Sequence, residues 1–310
     1  MDGTPAIGDV YAGGVWKTML VAGLNAGESG YYALDITNPV PPTAEAEIDV
    51  AAKVMWEFPN ASTSATVRAN IGLTFGRPVL AKTATAGWVA LVTSGYNNTV
   101  GDGKGYLFVL NAGTGALIKA IATTAGSQAT PSGLGQIAAY AESGSTDATI
   151  DSVYGGDLLG NLWRFDLTGP VNSWAAVRLA SFTDAASNPQ PISAAPELVV
   201  VQNRRLAVFG AIVFATNQPL PTACNAMSFI YVVDAAHGGQ LPAAGFLPNE
   251  TPWSGKQLGA SFAAQPVIAM LASGTIEALT RGSDNSLSVT RLPLSASSKL
   301  RRITWKEILR

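Results

Sequence analysis

The chain of 310 residues is sparsely charged and apolar: 13% of its residues are charged and 47% hydrophobic, against about 25% charged in ordinary globular proteins. A formal net charge of −2, with the Lys and Arg residues scattered, leaves no electrostatic footprint for DNA or RNA. The longest apolar run, Leu206 to Ala215, is about half of what a membrane-spanning helix requires, which argues against membrane insertion. The single Cys224 excludes an internal disulfide and any multi-cysteine metal site.

From the N-terminus onward, apolar strands that end in a small residue lead through a polar turn into an aromatic strand that ends in Asp or Asn. The first pair is Met19-Leu-Val-Ala-Gly23 with Tyr31-Tyr-Ala-Leu-Asp35, and the second is Ala90-Leu-Val-Thr-Ser-Gly95 with Leu107-Phe-Val-Leu-Asn111. The third is Ser152-Val-Tyr-Gly-Gly156 with Leu162-Trp-Arg-Phe-Asp166, and Ile230-Tyr-Val-Val-Asp234 repeats the aromatic strand. A weaker copy runs from Pro266 to Leu271, from Gly274 to Leu279 and from Leu287 to Leu292, with Glu277 where the aromatic is expected.

Three residues before each closing Asp or Asn stands an aromatic (Tyr32, Phe108, Trp163, Tyr231), and one residue before it an apolar side chain (Leu34, Leu110, Phe165, Val233). Positions two apart share a face of a strand, so these pairs are expected to pack together between stacked sheets. The closing positions 35, 111, 166 and 234 are spaced more widely than the about 40 to 50 residues of a bare four-stranded blade. Blades with loop insertions therefore fit better than a tight solenoid, and the expected fold is an all-β propeller of five or six blade equivalents in one domain, residues 1–310.

The identical placement of Asp35, Asp166 and Asp234 predicts turns closed by their own side chains, not catalytic carboxylates. His237, the one histidine, stands in a Gly-rich turn and reads as a turn residue. No nucleophile elbow, phosphate loop or His-Glu-x-x-His pattern occurs, so no enzyme activity is expected. Of the seven tryptophans, Trp16, Trp88 and Trp163 fall in or beside predicted strands, and packing between blades is the expected role. The loop from Asn97 to Lys104 could gather oxygens around a cation, but its Asn-Asn and Asp-Gly dipeptides are better explained as a turn.

Several segments together carry a resemblance. They are Asp2-Gly-Thr-Pro-Ala-Ile-Gly-Asp-Val10, Trp16-Lys-Thr-Met-Leu-Val-Ala-Gly23, Tyr32-Ala-Leu-Asp-Ile-Thr-Asn-Pro39, Trp56-Glu-Phe58, Gly95-Tyr-Asn-Asn98, the stretch from Val153 to Asp166, and Arg301-Arg-Ile-Thr-Trp-Lys-Glu-Ile308. In this order they resemble the C-terminal β-propeller of the PilY family of type IV pilus biogenesis and tip adhesin proteins. The resemblance implies a modified propeller similar to that of quinoprotein dehydrogenases. It also implies a chain that is the C-terminal part of a longer protein, and it allows an incomplete seven-bladed ring.

The same resemblance implies a noncatalytic module of pilus assembly, of extension versus retraction and of surface adhesion. It would be exported to the cell surface, outer membrane or pilus tip, although Met1 to Pro5 carries no export signal. Its partners would be minor pilins, the pilus tip and host or surface receptors. It further implies a calcium loop, matched here by Ser143, Ser145, Asp147, Thr149 and Asp151. Hard cations take about six to eight oxygens, which a tight loop supplies from alternating side chains and carbonyls. Ser143 and Ser145 stand where acidic or amide ligands are expected, so weak binding is expected, and the residues also suit an ordinary polar loop. The competing class is a quinone-dependent dehydrogenase, whose propellers carry turns like Asn111-Ala-Gly-Thr-Gly115; one cysteine cannot supply the adjacent pair that many such enzymes place over the cofactor.

Overall fold

The structure is a computed structural model. It describes residues 3–39, 48, 51–141, 149–183 and 187–201, and beyond these the strand backbones at 204–213, 227–234, 260–261, 267–270, 275–281, 287–293 and 301–304. Contacts divide the chain into two compact units, Met1–Asp157 with Trp163–Arg178, and Leu158–Leu162 with Leu179–Arg310.

The first sheet runs β1 (Ala6–Ala12), β2 (Val15–Gly23), β3 (Tyr31–Asp35) and β4 (Val54–Phe58), each antiparallel to the one before. Gly13 and Gly14 join β1 to β2 with φ of 64 and 84°. This left-handed pair suits a two-residue hairpin because its twist matches that of the strands. The second sheet repeats the order with β5 (Val79–Thr83), β6 (Gly87–Thr93), β7 (Tyr106–Asn111) and β8 (Leu117–Ala122). The third opens with β9 (Leu134–Tyr140). The chain then pairs β10 (Thr149–Ile150) in parallel with β5, and returns as β11 (Ser152–Asp157), β12 (Asn161–Asp166) and β13 (Ala175–Ser181).

In the second unit, Ser181 Oγ donates to Asn161 Oδ1 at 2.6 Å, and Phe182 N–H donates to the Gly160 carbonyl at 2.8 Å. A fourth sheet contains β14 (Glu197–Val201), β15 (Arg204–Val213), β16 (Met227–Asp234) and β17 (Ala260–Ser261). A fifth contains β18 (Val267–Met270), β19 (Thr275–Arg281), β20 (Leu287–Pro293) and β21 (Arg301–Thr304). Each of these five sheets has four antiparallel strands that, apart from the short β10, follow one another along the chain, which is the blade repeat expected from the sequence, and the weak copy after Pro266 forms a sheet like the others.

Strand alternation explains how the first three sheets stack. In the second sheet Ala90, Val92, Phe108 and Leu110 face the first, where they meet Val21, Tyr31, Ala33 and Phe58. Val89, Leu91, Leu107 and Val109 face the third, where they meet Ile137, Val153, Trp163 and Phe165. Both faces of this sheet are thus buried, and its strands are apolar at nearly every position instead of at every other one. Each large side chain so removed from water contributes about 1.5–3 kcal/mol.

The aligned aromatic keeps its direction from sheet to sheet. Phe108 and Leu110 point to the sheet before their own, as do Trp163 and Phe165, and all four are fully buried. By the same register Tyr32 and Leu34 point away from the second sheet, and both are only half-buried. Tyr31 and Ala33 make the contact instead, with the Tyr31 hydroxyl donating to the Thr93 carbonyl at 2.9 Å. The register of Tyr32 is as expected, and among the described residues of the first unit no second sheet meets its face. The Tyr231 side chain lies outside the described residues.

Candidate functional site

The expected cation loop leaves the sheet at Tyr140 and returns at Asp151, and the structure describes both ends of it. Asp151 N–H donates to the Tyr140 carbonyl at 3.1 Å, and Ser152 pairs with Tyr140 in the β9–β11 ladder. The intervening excursion is thus pinned at its base. Just before this point Thr149 and Ile150 pair with Lys82 and Thr83 of β5, which ties the loop's exit to the second sheet. Of the five expected ligands, Ser143, Ser145 and Asp147 lie outside the described residues.

Asp151 is half-buried, and its carboxylate accepts a hydrogen bond from the Ser152 hydroxyl. Burial pushes its pKa above the ordinary carboxylate range. The Ser152 hydroxyl opposes this, the Asp166 carboxylate adds to it, and the Arg164 guanidinium opposes it. Arg164 also lies 4.0 Å from Asp166. A desolvated carboxylate beside a second one gains from a cation, which is the chemistry that a calcium ligand needs. Thr149 and Asp151 fit a hard cation in donor type, and the described half of the loop supplies one carboxylate toward it. Among the described residues no three Asp, Glu, His or Cys side chains gather closely enough to hold a metal by themselves.

The described positions of the repeat close turns, and the Asp234 side chain lies outside the described residues. Asp35 Oδ1 accepts from the Thr37 N–H and hydroxyl at 3.0 and 2.6 Å, and Asp166 Oδ1 accepts from the same two groups of Thr168 at 2.9 and 2.6 Å. Asn111 Oδ1 accepts from the N–H groups of Gly113 and Thr114 at 3.0 and 3.1 Å. These are the side-chain-closed turns expected from the repeat. Lys17 Nζ in addition donates to Asp35 Oδ2 at 2.8 Å, and chiefly through that bond the Asp35 pKa is lowered to about 2.

In the loop from Asn97 to Lys104, Asp102 accepts from the Lys104 N–H at 3.0 Å and the Tyr106 hydroxyl at 2.8 Å, with Lys104 Nζ at 3.3 Å. Burial works against the Asp102 charge, yet these partners hold its pKa below the usual range. A carboxylate already facing an ammonium closes a turn better than it binds a metal. His237 lies outside the described residues.

The tryptophans divide. Trp163 is fully buried and packs as expected, while Trp16 is 61% exposed and Trp88 half-buried. Trp16 touches Trp88 of the second sheet but keeps most of its surface exposed, so packing between blades accounts for it only in part. Trp56, which the repeat does not single out, is buried with its Nε1–H on the Ala112 carbonyl at 2.7 Å. Its ring covers Gly115, where a Cβ would come within 2.6 Å of Trp56 Cγ. The Gly-Thr-Gly turn after β7 is thus shaped to seat an aromatic of the first sheet, a requirement visible in the sequence only as two glycines.

Comparison with known proteins points in one direction. Residues 1–251 match the family described as the PilY1 beta-propeller domain. The type IV pilus biogenesis factor PilY1 of Pseudomonas aeruginosa is 30% identical over 233 residues, which cover 68% of this chain and 18% of that protein. A PilY1 homolog of Xylella fastidiosa is 32% identical over 201 residues, covering 62% of this chain and 12% of the homolog. The chain thus spans less than a fifth of these relatives. The crystal structure of the Pseudomonas aeruginosa PilY1 C-terminal domain superposes with a TM-score of 0.72 at 23% identity, over 94% of this chain and 70% of that one.

Proposed function

Because the chain belongs to the PilY1 β-propeller family, we propose that it is the noncatalytic propeller module of a type IV pilus biogenesis factor. It acts at the cell surface or pilus tip, on pilus components such as minor pilins and on the surfaces to which pili attach. The observation that carries this reading is the family match over residues 1–251, supported by five sheets in which, β10 apart, strands adjacent in the sheet follow one another along the chain. The quinoprotein alternative rested on the Asn111–Gly115 turn, and that turn has a structural task in holding Trp56.

Calcium at the 143–151 loop is part of the proposal. Asp151 would contribute a desolvated carboxylate, Thr149 an oxygen from β10, and Ser143, Ser145 and Asp147 the remaining protein ligands. Bound calcium would add positive charge beside Asp151 and Asp166, which the Arg164 guanidinium also faces. It would also brace the loop whose ends are fixed on two different sheets.

The test is genetic. In the cell that encodes the protein, an in-frame deletion of the coding segment should abolish or sharply reduce surface pili by electron microscopy and reduce the twitching zone, and the wild-type segment should restore both. Unchanged piliation and motility in the deletion strain would refute the role.

A further inference from the structure

At the β1–β2 hairpin, three rings form one continuous aromatic surface. Trp16 meets Tyr11 edge to face with ring centres 5.5 Å apart, and meets Trp88 of the second sheet in the same way at 5.6 Å. Trp16 is 61% and Tyr11 49% exposed, whereas the other large aromatics of these two sheets are buried or half-buried, Phe75 at 37% apart. Beside these rings lies an open cleft of about 360 Å³, which Tyr11 and Trp88 line together with Met55, Lys17, Asn111 and Thr114.

The cleft combines apolar ring faces with polar groups that retain hydrogen-bonding capacity. Asn111 uses its Oδ1 to close its own turn, and among the described residues no partner engages its Nδ2. Lys17 spends one of its three donors on Asp35 at 2.8 Å. The same contact cancels the only formal charge in the lining. The site therefore has no complementarity for a phosphate or another anion, and its amide and ammonium donors would be left unmet by an aliphatic partner.

We propose that this cleft binds a neutral oligosaccharide of β-linked, all-equatorial pyranose units. Such sugars carry C–H groups on both faces of the ring and hydroxyls around its edge. The C–H face matches the negative quadrupole of Tyr11 or Trp88, which line the cleft, and Trp16 extends that surface by contact with both rings; the edge hydroxyls match Asn111, Thr114 and Lys17. The volume is near the lower end of the about 300–1,000 Å³ typical of small-molecule sites, which suits a short saccharide. The inference goes beyond the pilus role and stands on the cleft alone.

Titration of the full chain with cellotriose and with triacetylchitotriose, followed by calorimetry and tryptophan fluorescence, tests the proposal. At least one sugar should bind, and Trp16→Ala and Tyr11→Ala should each weaken binding tenfold or more. Both side chains are largely exposed, so the variants should keep the wild-type unfolding midpoint. No binding of either sugar up to about 10 mM, an affinity too weak to matter, overturns the proposal. So does binding that both substitutions leave unchanged. Sedimentation that shows concentration-dependent dimers abolished by Trp16→Ala would also overturn it, assigning the surface to a second copy of the chain.

Discussion

Trp163 Nε1–H donates to Asp157 Oδ2 at 2.8 Å, and both residues are fully buried. The tryptophan fills the space between the second and third sheets and at the same time satisfies a carboxylate that has no access to water. Trp163→Ala should therefore destabilise by about 3–5 kcal/mol from lost packing, with a further penalty for the carboxylate. Trp163→Phe keeps most of the packing and loses the donor, and should cost about 1–3 kcal/mol. Urea denaturation of the two variants separates the contributions; a Trp163→Phe variant as stable as the wild type would mean that the hydrogen bond contributes nothing.

Gly115 has a φ of 69° and lies under the Trp56 ring. Gly115→Ala faces the left-handed backbone penalty of about 1–2 kcal/mol and must also displace the indole. Its total cost should exceed that penalty alone, whereas alanine at Gly87, which has the same φ and open space around it, should incur only the backbone term. Chemical denaturation of both variants is the check, and similar losses would deny the aromatic seat any energetic role.

The Lys17–Asp35 pair predicts an acid-dependent loss. A carboxyl whose folded pKa is lowered to about 2 holds protons less tightly than in the unfolded chain, where its value is about 3.9. Its stabilisation is complete above the unfolded value and disappears as pH falls through that value toward about 2. Asp102, also lowered, contributes in the same direction. The measurement is thus a difference: the gap in urea midpoint between wild type and Asp35→Asn should close between about pH 4 and pH 2. Partial exposure keeps the effect near the about 0.2–1 kcal/mol of surface pairs.

Asp151 has the opposite sign. Its raised pKa means that the folded chain without calcium binds the proton more tightly than the unfolded chain does. The contribution of Asp151 to stability is therefore greatest below the unfolded carboxylate value and declines as pH rises through the folded one. Asp151→Asn should remove that decline. Calcium competes with the same proton, so affinity should rise with pH, with a dissociation constant near about 10⁻⁴–10⁻³ M at neutral pH. Calorimetry on wild type and Asp151→Ala should show the binding heat lost in the variant. Sub-micromolar binding, or binding that survives the substitution, would mean a stronger site or one elsewhere.

What the sequence determined by itself is the local order of this protein. Strand alternation and turn chemistry act over a few residues, so the aromatic register before Asp35, Asn111 and Asp166, the side-chain-closed turns and the sheet after Pro266 were all legible. Of the candidate site, the position of the loop was legible, but the environment of Asp151 was not, because Asp166 and Arg164 approach it from another strand. Burial was equally hidden. Tyr32 and Phe108 occupy the same place in the repeat, yet only Phe108 is covered, and Trp16 lies in a strand without entering the core. Whether a face is buried, which aromatic seats on which glycine and what charge a carboxylate meets all depend on neighbours distant in the chain, and those neighbours are set by how the sheets stack.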